Sequence, residues 1–140
     1  MVKATNIRFT AFGFFLSIAG CSGSVQEFPK LNIVNGSVVL SDPRVNVDTV
    51  DHSIVQFHPA SGGSRGQKIW GPLHEGAYSL VTEEDGGKIP GAPEGDYMIT
   101  IVPPRPDCTG IPAKYRDPKT TDLKAHVEEG FNELAFELKP

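Results

Sequence analysis

Apolar and polar residues alternate with a period of two in six separate runs of the chain. In most of these runs one face is apolar and the other is more polar; the runs cover residues 34–40, 53–58, 77–82, 97–102, 123–128 and 133–138. This spacing is typical of half-buried β-strands, because successive side chains of a strand point to opposite faces of its sheet. Residues 67–70 form a weaker seventh candidate. The pattern therefore predicts about seven short strands.

Turn-forming residues separate these runs. The segments between the runs are rich in Gly, Pro, Asp and Ser, which favour tight reversals of the chain. These segments include Ser41-Asp42-Pro43, residues 58–63, Asp85-Gly86-Gly87 and Glu129-Gly130. After residue 20 no window shows the apolar spacing of a helix. We predict an all-β fold: a seven-stranded antiparallel Greek-key β-sandwich, with one packed and one solvent-facing side to each sheet.

Residues 103–118 contain five prolines. A central strand does not accommodate them, because proline lacks the backbone N–H that a ladder requires. We predict a long connection here, of the kind that returns to a distant sheet edge in a Greek key.

The N-terminus shows a different pattern. Lys3 and Arg8 precede an apolar run at residues 9–19, the run ends at Cys21, and the first acidic residue is Glu27. A basic start, a short apolar stretch and small residues describe a secretory signal, and the run is shorter than the roughly 20 residues that cross a bilayer. The ending Ile-Ala-Gly-Cys resembles a bacterial lipobox, which implies cleavage before Cys21 and a lipid on its sulfur. An ordinary cleaved signal and an intracellular domain with an apolar N-terminus are the alternatives.

These features divide the chain into three parts. We predict a signal peptide at residues 1–20, the lipidated Cys21 with a flexible tether at 21–30, and one β-sandwich domain at 31–140. The two basic residues of the signal leave eleven against 17 acidic ones, a net charge of −6. This charge argues against nucleic acid as a partner and against electrostatic docking to anionic lipid.

The chain has two cysteines, Cys21 and Cys108. An even count in an exported protein suggests a disulfide, but a thioether-linked Cys21 cannot form one. We therefore expect Cys108 to be an unpaired side chain in its loop; an intermolecular or reactive thiol is the alternative.

Several segments resemble, in order, carboxypeptidase regulatory-like domains. Their motifs G-x-V, V-x-F-x-P, T-D-x-D-G and A-P-x-G-x-Y-x-V-x-I are similar to residues 36–38, 55–59, 82–87 and 92–101. Residues 111–123 and 130–138 resemble the tail of small planctomycete-type envelope lipoproteins, I-P-x-K-Y-x-D-P-x-T-S-x-L followed by G-x-N-x-F-x-F-x-L.

The resemblance covers most of residues 31–139 and implies a transthyretin-like sandwich that serves as a non-catalytic module. The sequence departs from the family at residues 42–51, which are longer and more acidic than the usual G-K-P-L turn, and at Thr82-Glu83-Glu84-Asp85-Gly86. Transthyretin-like hydrolases that open ureide rings end in Tyr-Arg-Gly-Ser. This chain ends in Phe-Glu-Leu-Lys-Pro, so that activity is not expected.

No motif in the chain points clearly to catalysis. Residues 62–66 match G-x-S-x-G around Ser64, but no helix is predicted to follow, as a nucleophile elbow requires. The segment is interpreted as a hairpin loop, and we expect no catalytic residue and no enzyme activity.

The residues that could bind a metal are dispersed along the sequence. The four histidines are His52, His58, His74 and His126, and they show no H-x-x-x-H spacing. Acidic residues fall in two predicted loops, as Asp42, Asp48, Asp51, Glu83, Glu84 and Asp85. We interpret them as solvated charge, with a Ca²⁺ site as the alternative. No metal and no cofactor is expected.

Three aromatic residues are interpreted as structural. Tyr97 follows Gly95-Asp96 at a strand start, as in a tyrosine corner whose hydroxyl bonds to upstream backbone. Trp70 and Tyr115 are expected to pack rather than to stack on a ligand.

Together these observations predict an envelope lipoprotein that faces the periplasm or exterior. Its partners would be membrane lipid through acylated Cys21 and an envelope protein or glycan bound by the domain. The alternative is a small hydrolase or metal-binding protein with a site formed by sandwich loops.

Overall fold

The computed structural model describes residues 30–44, 50–62, 66–107 and 110–140. The predicted signal peptide lies outside these residues. The described residues form ten strands and one 3₁₀ helix, and the protein is all-β as predicted. In chain order the strands are β1 (Leu31–Leu40), β2 (Ile54–Pro59), β3 (Lys68–His74), β4 (Ala77–Ser79), β5 (Val81–Glu84), β6 (Gly87–Pro90), β7 (Ala92–Pro93), β8 (Gly95–Val102), β9 (Lys124–Val127) and β10 (Phe131–Leu138).

The strands belong to one continuous sheet in the order β10-β1-β4-β3-β2-β8-β9. Three short strands lie beside this path: β5 pairs with β3, β6 with β5, and β7 with β1. The pairs are antiparallel except for β1 and β10, which run parallel from Ile33 and Phe131 to Leu40 and Leu138.

The sheet is strongly curled. Strands β9 and β10 lie at opposite ends of the order, yet only residues 128–130 join them. The step from Val127 to Phe131 spans at most about 14 Å even when fully extended. The two ends of the sheet must therefore approach each other, and the sheet forms a half-barrel.

All seven predicted runs contain strands, with two differences in detail. The run at 77–82 is divided at Leu80, because β4 pairs with β1 whereas β5 pairs with β6. Strands β6 and β7 were not predicted from the sequence. The four residues of β6 are all exposed, so they show no alternation.

The long connection was predicted wrongly in one respect. Strands β8 and β9 are neighbours, with Tyr97 paired to Ala125, so residues 103–123 do not reach a distant edge. Instead, the 3₁₀ helix Ala113–Arg116 packs against β8. It buries Tyr115, whose hydroxyl accepts the Lys139 N–H at 2.9 Å and donates to the Lys139 carbonyl at 3.2 Å. The connection therefore links β8 to the end of β10.

An aromatic cluster lies in the core. Phe57 contacts Tyr78, Tyr97 and Phe136, and Tyr78 stacks on Phe136 with ring centroids 6.2 Å apart. Gly36 on β1 makes room for Tyr78, because a Cβ at this position would overlap the Tyr78 hydroxyl and the Leu134 carbonyl. That hydroxyl donates to the same carbonyl at 2.9 Å. Packing against Tyr78 therefore explains why glycine is required at position 36, the first residue of the segment that resembles G-x-V.

Two hairpins of the sheet close through two-residue turns. Glu75 and Gly76 have φ values of 50° and 78°, and Asp85 and Gly86 have 49° and 79°. Positive φ at both central residues is the mark of a type I′ turn, whose twist matches that of the strands. The first of these turns fixes His74, the last residue of β3.

Candidate functional site

Three side chains with metal-binding atom types converge at one end of the sheet. Asp51 and His52 form the turn before β2, and His74 ends β3. His52 Nδ1 lies 3.4 Å from Asp51 Oδ2, and His74 Nδ1 lies 3.4 Å from Asp51 Oδ1. One ligand atom from each residue lies within 4.8 Å of the other two. We call these three residues the Asp51 cluster.

Backbone hydrogen bonds fix the residues of the cluster. The Glu75 N–H donates to Asp51 Oδ1 at 3.0 Å, which ties the carboxylate to the turn after His74. The His52 N–H donates to the Leu73 carbonyl at 2.9 Å. His74 is paired with Ala77 in the β3–β4 ladder. The cluster is therefore built on two anchored segments rather than on a free loop.

His52 has a backbone φ of 65°. This left-handed conformation is uncommon outside glycine, although Asn, Asp and His adopt it more often than other residues. Sparsely populated backbone conformations concentrate at binding sites, where the surrounding structure maintains them. The surrounding structure, and not the intrinsic backbone preference of histidine, therefore determines the conformation of His52.

The carboxylate of the cluster is ionised at neutral pH. The pKa of Asp51 is lowered, first by the hydrogen bond from the Glu75 N–H and then by the nearby His52 and His74. Its side chain is 21% exposed, whereas those of His52 and His74 are 77% and 71% exposed. The cluster therefore consists of one carboxylate, fixed by its hydrogen bond from the Glu75 N–H, and two imidazoles that are exposed to solvent.

The cluster lies far from the start of the domain. The Gly76 carbonyl accepts the Val38 N–H at 2.8 Å, near the end of β1. Strand β1 begins at Leu31, and seven residues of strand span about 23 Å. The chain thus enters the domain at one end of β1, and the Asp51 cluster lies at the other.

Ser53, next to His52, is fully buried. Its hydroxyl has no hydrogen-bond partner among the residues that the structure describes. A buried hydroxyl without a partner costs free energy.

The other two histidines lie elsewhere. His58 Nε2 is 2.8 Å from the Thr100 hydroxyl, and burial lowers the pKa of His58. His126 Nδ1 is 2.7 Å from Asp96 Oδ1, and this hydrogen bond raises the pKa of His126. Of the four histidines, the structure brings only His52 and His74 into one cluster of metal-binding groups within its described part.

A shallow cavity of about 270 Å³ lies over β2 and β3. It is lined in part by His58 and Trp70. The Trp70 indole N–H donates to Glu83 at 3.0 Å, and the Lys88 ammonium lies 4.8 Å from the ring centroid. Small-molecule pockets usually occupy about 300–1,000 Å³, so this cavity is a weaker candidate than the Asp51 cluster.

The acidic residues do not converge on a calcium site in the described part of the chain. Asp42 binds Arg44 at 3.0 Å, Glu84 accepts from Gln67 at 2.9 Å, and Asp85 forms a hairpin turn. Asp48 lies outside the described residues.

Further sequence predictions can be placed. The tyrosine corner is confirmed, since the Tyr97 hydroxyl donates to the Pro93 carbonyl at 2.7 Å. Tyr115 is buried, as expected of a packing residue. The predictions for Cys21, Ser64 and Cys108 lie outside the described residues. Within the described ranges no helix combines the length and apolar character that a bilayer crossing needs.

Sequence reasoning missed the pairing of His52 with His74. The two residues are 22 positions apart, and no local motif joins them. The available signal was Glu75-Gly76, a hairpin turn that brings the end of β3 close to Asp51.

Comparison with protein-family models, curated proteins and solved structures found no significant match to the chain.

Proposed function

We propose that the protein is an envelope lipoprotein, anchored by a lipid on Cys21, whose domain at residues 31–140 acts as a non-catalytic structural or binding module. The domain would face the periplasm or exterior and meet an envelope protein or glycan. The lipobox-like ending at Cys21 is the sequence basis of this proposal.

The observation that supports it best is an apolar pair where the chain enters the domain. Ile33 and Phe131 are direct neighbours in the β1–β10 ladder and are 44% and 68% exposed. They lie next to Lys30, the first described residue after the proposed tether. Val39 and Ile89 are also exposed, but single exposed apolar residues are common in proteins. A membrane surface is a suitable environment for an apolar pair at this position.

We further propose that the half-barrel is a transthyretin-like Greek-key sandwich. Two of the positions that resemble the family motifs have structural roles in this fold. Gly36 accommodates Tyr78, and Tyr97 forms the corner to Pro93.

Replacement of Cys21 tests the anchor. We expect the full-length wild-type protein to sediment with membranes and to require detergent for release. Cys21→Ala should abolish fatty-acid labelling, because alanine has no sulfur to carry the lipid. Cys108→Ala is the matched control, because it removes the other cysteine and should change neither property. Equal fatty-acid labelling of wild type and Cys21→Ala would contradict the proposal.

A second candidate function is metal binding by a site at the end of the sheet. The Asp51 cluster supports it, because its three residues offer nitrogen and oxygen ligands in one place.

A further inference from the structure

We propose that Asp51, His52 and His74 bind one divalent transition-metal ion of the Zn²⁺ type at the end of the domain opposite the proposed tether. The inference identifies a ligand class for the domain. It does not rest on the lipid anchor, because all three residues lie within the folded domain.

The first argument is the spacing of the ligand atoms. Zn²⁺ binds imidazole nitrogen and carboxylate oxygen at about 2.0–2.2 Å, and in tetrahedral geometry two such ligands are about 3.4 Å apart. The two histidine-to-Asp51 distances are both 3.4 Å, each to a different oxygen of the carboxylate, and one ligand atom from each residue lies within 4.8 Å of the other two. Ordinary N–H···O hydrogen bonds are shorter, at about 2.7–3.2 Å. Both contacts with Asp51 are therefore longer than ordinary hydrogen bonds and match the separation of two ligands on one ion.

The second argument is preorganisation. The Asp51 carboxylate is held by the Glu75 N–H, and the backbones of His52 and His74 are bonded to neighbouring strands or turns. Hydrogen bonds that orient a ligating side chain raise metal affinity. The two imidazole rings remain exposed, with centroids 6.0 Å apart.

The third argument is the chemistry of the donors. Two imidazoles and one carboxylate suit Zn²⁺, Cu²⁺ and Ni²⁺, whereas Ca²⁺ and Mg²⁺ prefer oxygen ligands only. Three protein ligands leave at least one position of a tetrahedral ion for water or for a group from a partner. Because the histidines are mostly exposed, the ion would be accessible rather than enclosed.

Calorimetric titration of the full-length, untagged protein with Zn²⁺ tests the site. A background with Cys21→Ser and Cys108→Ser removes both thiols that could bind zinc. We expect one Zn²⁺ per chain and no competition from millimolar Ca²⁺.

His74→Ala should weaken zinc binding at least tenfold. Removing a residue that only orients a metal ligand lowers the affinity by about 10–100-fold, and removing the ligand itself should lower it at least as much. His52→Gly should do the same without straining a left-handed backbone. Asp51→Asn should also weaken binding, while its amide oxygen can still accept the Glu75 N–H.

His126→Ala is the matched control. It also removes an exposed histidine beside a carboxylate, but it lies outside the cluster, so zinc affinity should not change. Far-UV circular dichroism checks that each variant is folded. The proposal is overturned if wild type binds no zinc below about 1 mM, if His126→Ala loses as much affinity as His74→Ala, or if all three cluster variants retain wild-type affinity.

A measurement on the unsubstituted protein gives an independent test. In ¹⁵N-edited spectra of the histidine side chains, Zn²⁺ should shift or broaden the imidazole signals of His52 and His74. The signals of His58 and His126 should remain in place. An equal response of all four histidines, or none, would refute a specific site.

Discussion

Tyr97 shows how a single side chain of this chain combines burial with a backbone contact. Its ring lies in the core against Phe57, with centroids 5.5 Å apart, while its hydroxyl donates to the Pro93 carbonyl. The role could be predicted from Gly95-Asp96-Tyr97, because the corner is a local arrangement. The contact of the Tyr78 ring with Gly36 could not be predicted, because it depends on the pairing of β4 with β1.

Alkaline titration tests the burial of Tyr97. Burial raises the pKa of Tyr97 to about 12, whereas an unfolded tyrosine ionises near pH 10. The unfolded chain therefore loses this proton first. The contribution of Tyr97 to the free energy of unfolding is complete below pH 10 and is lost as pH rises towards 12. The expected slope is about 1.4 kcal/mol per pH unit for this group.

Urea unfolding of wild type and Tyr97→Phe at pH 8, 10 and 11.5 gives the measurement. At pH 8 the variant should be less stable by about 0.5–1.5 kcal/mol, because it lacks the hydrogen bond to Pro93. The difference should shrink or reverse at pH 11.5, since phenylalanine does not ionise. Parallel pH profiles of the two proteins would show that Tyr97 is not buried as described.

The Asp51 cluster also illustrates what residue patterns omit. Each of its three members was noted in the sequence as a separate loop charge or histidine, and no cluster was expected. Convergence requires the Glu75-Gly76 turn and the hydrogen bond from Glu75 to Asp51. The turn has a local signal at Glu75-Gly76, but the contact of Glu75 with Asp51 follows no periodic pattern in the sequence.

At the scale of elements, alternation predicted the strands that have one buried face. Strands β1, β2, β8, β9 and β10 lie close to the predicted runs. Alternation did not predict β6, because all residues of this strand are exposed. It also did not predict the break between β4 and β5 at Leu80. That break coincides with a change of partner strand from β1 to β6.

The β5–β6 hairpin provides a prediction at this scale. Gly86 has a φ of 79°, and a Cβ there would meet no atom within 4 Å. Gly86→Ala should therefore destabilise the protein through backbone strain alone, by about 1–2 kcal/mol. Gly87→Ala is the matched control, because its φ is not in the left-handed region and its Cβ would make only an ordinary contact at 3.5 Å with the Glu84 carbonyl.

Thermal or urea unfolding of the two variants distinguishes them. We expect a clear loss of stability for Gly86→Ala and a change within about 0.5 kcal/mol for Gly87→Ala. Equal effects of the two substitutions would contradict the type I′ turn at Asp85 and Gly86.

At the scale of the whole molecule, the start of the domain and the Asp51 cluster lie near opposite ends of strand β1. Residue 30, where the proposed tether meets the domain, precedes β1, and the exposed pair Ile33 and Phe131 lies nearby. The Asp51 cluster lies near Val38, about 23 Å further along the strand. A lipid at Cys21 would leave the cluster on the side that faces away from the tether.

The curl of the sheet was the feature least accessible from sequence. The number and order of strands favoured a sandwich, but the neighbouring positions of β8 and β9 and the parallel pairing of β1 and β10 follow from long-range contacts. The proline content of residues 103–118 excluded a strand correctly, yet it gave no information on where the connection returns.

The central claim is that the domain is held at a membrane through Cys21. Mass spectrometry of the N-terminal peptide from the protein isolated from native envelopes tests it most directly. We predict a peptide that begins at Cys21 and has the added mass of a diacylglycerol on its sulfur. An unmodified peptide that begins at Met1 would contradict both the anchor and the envelope location.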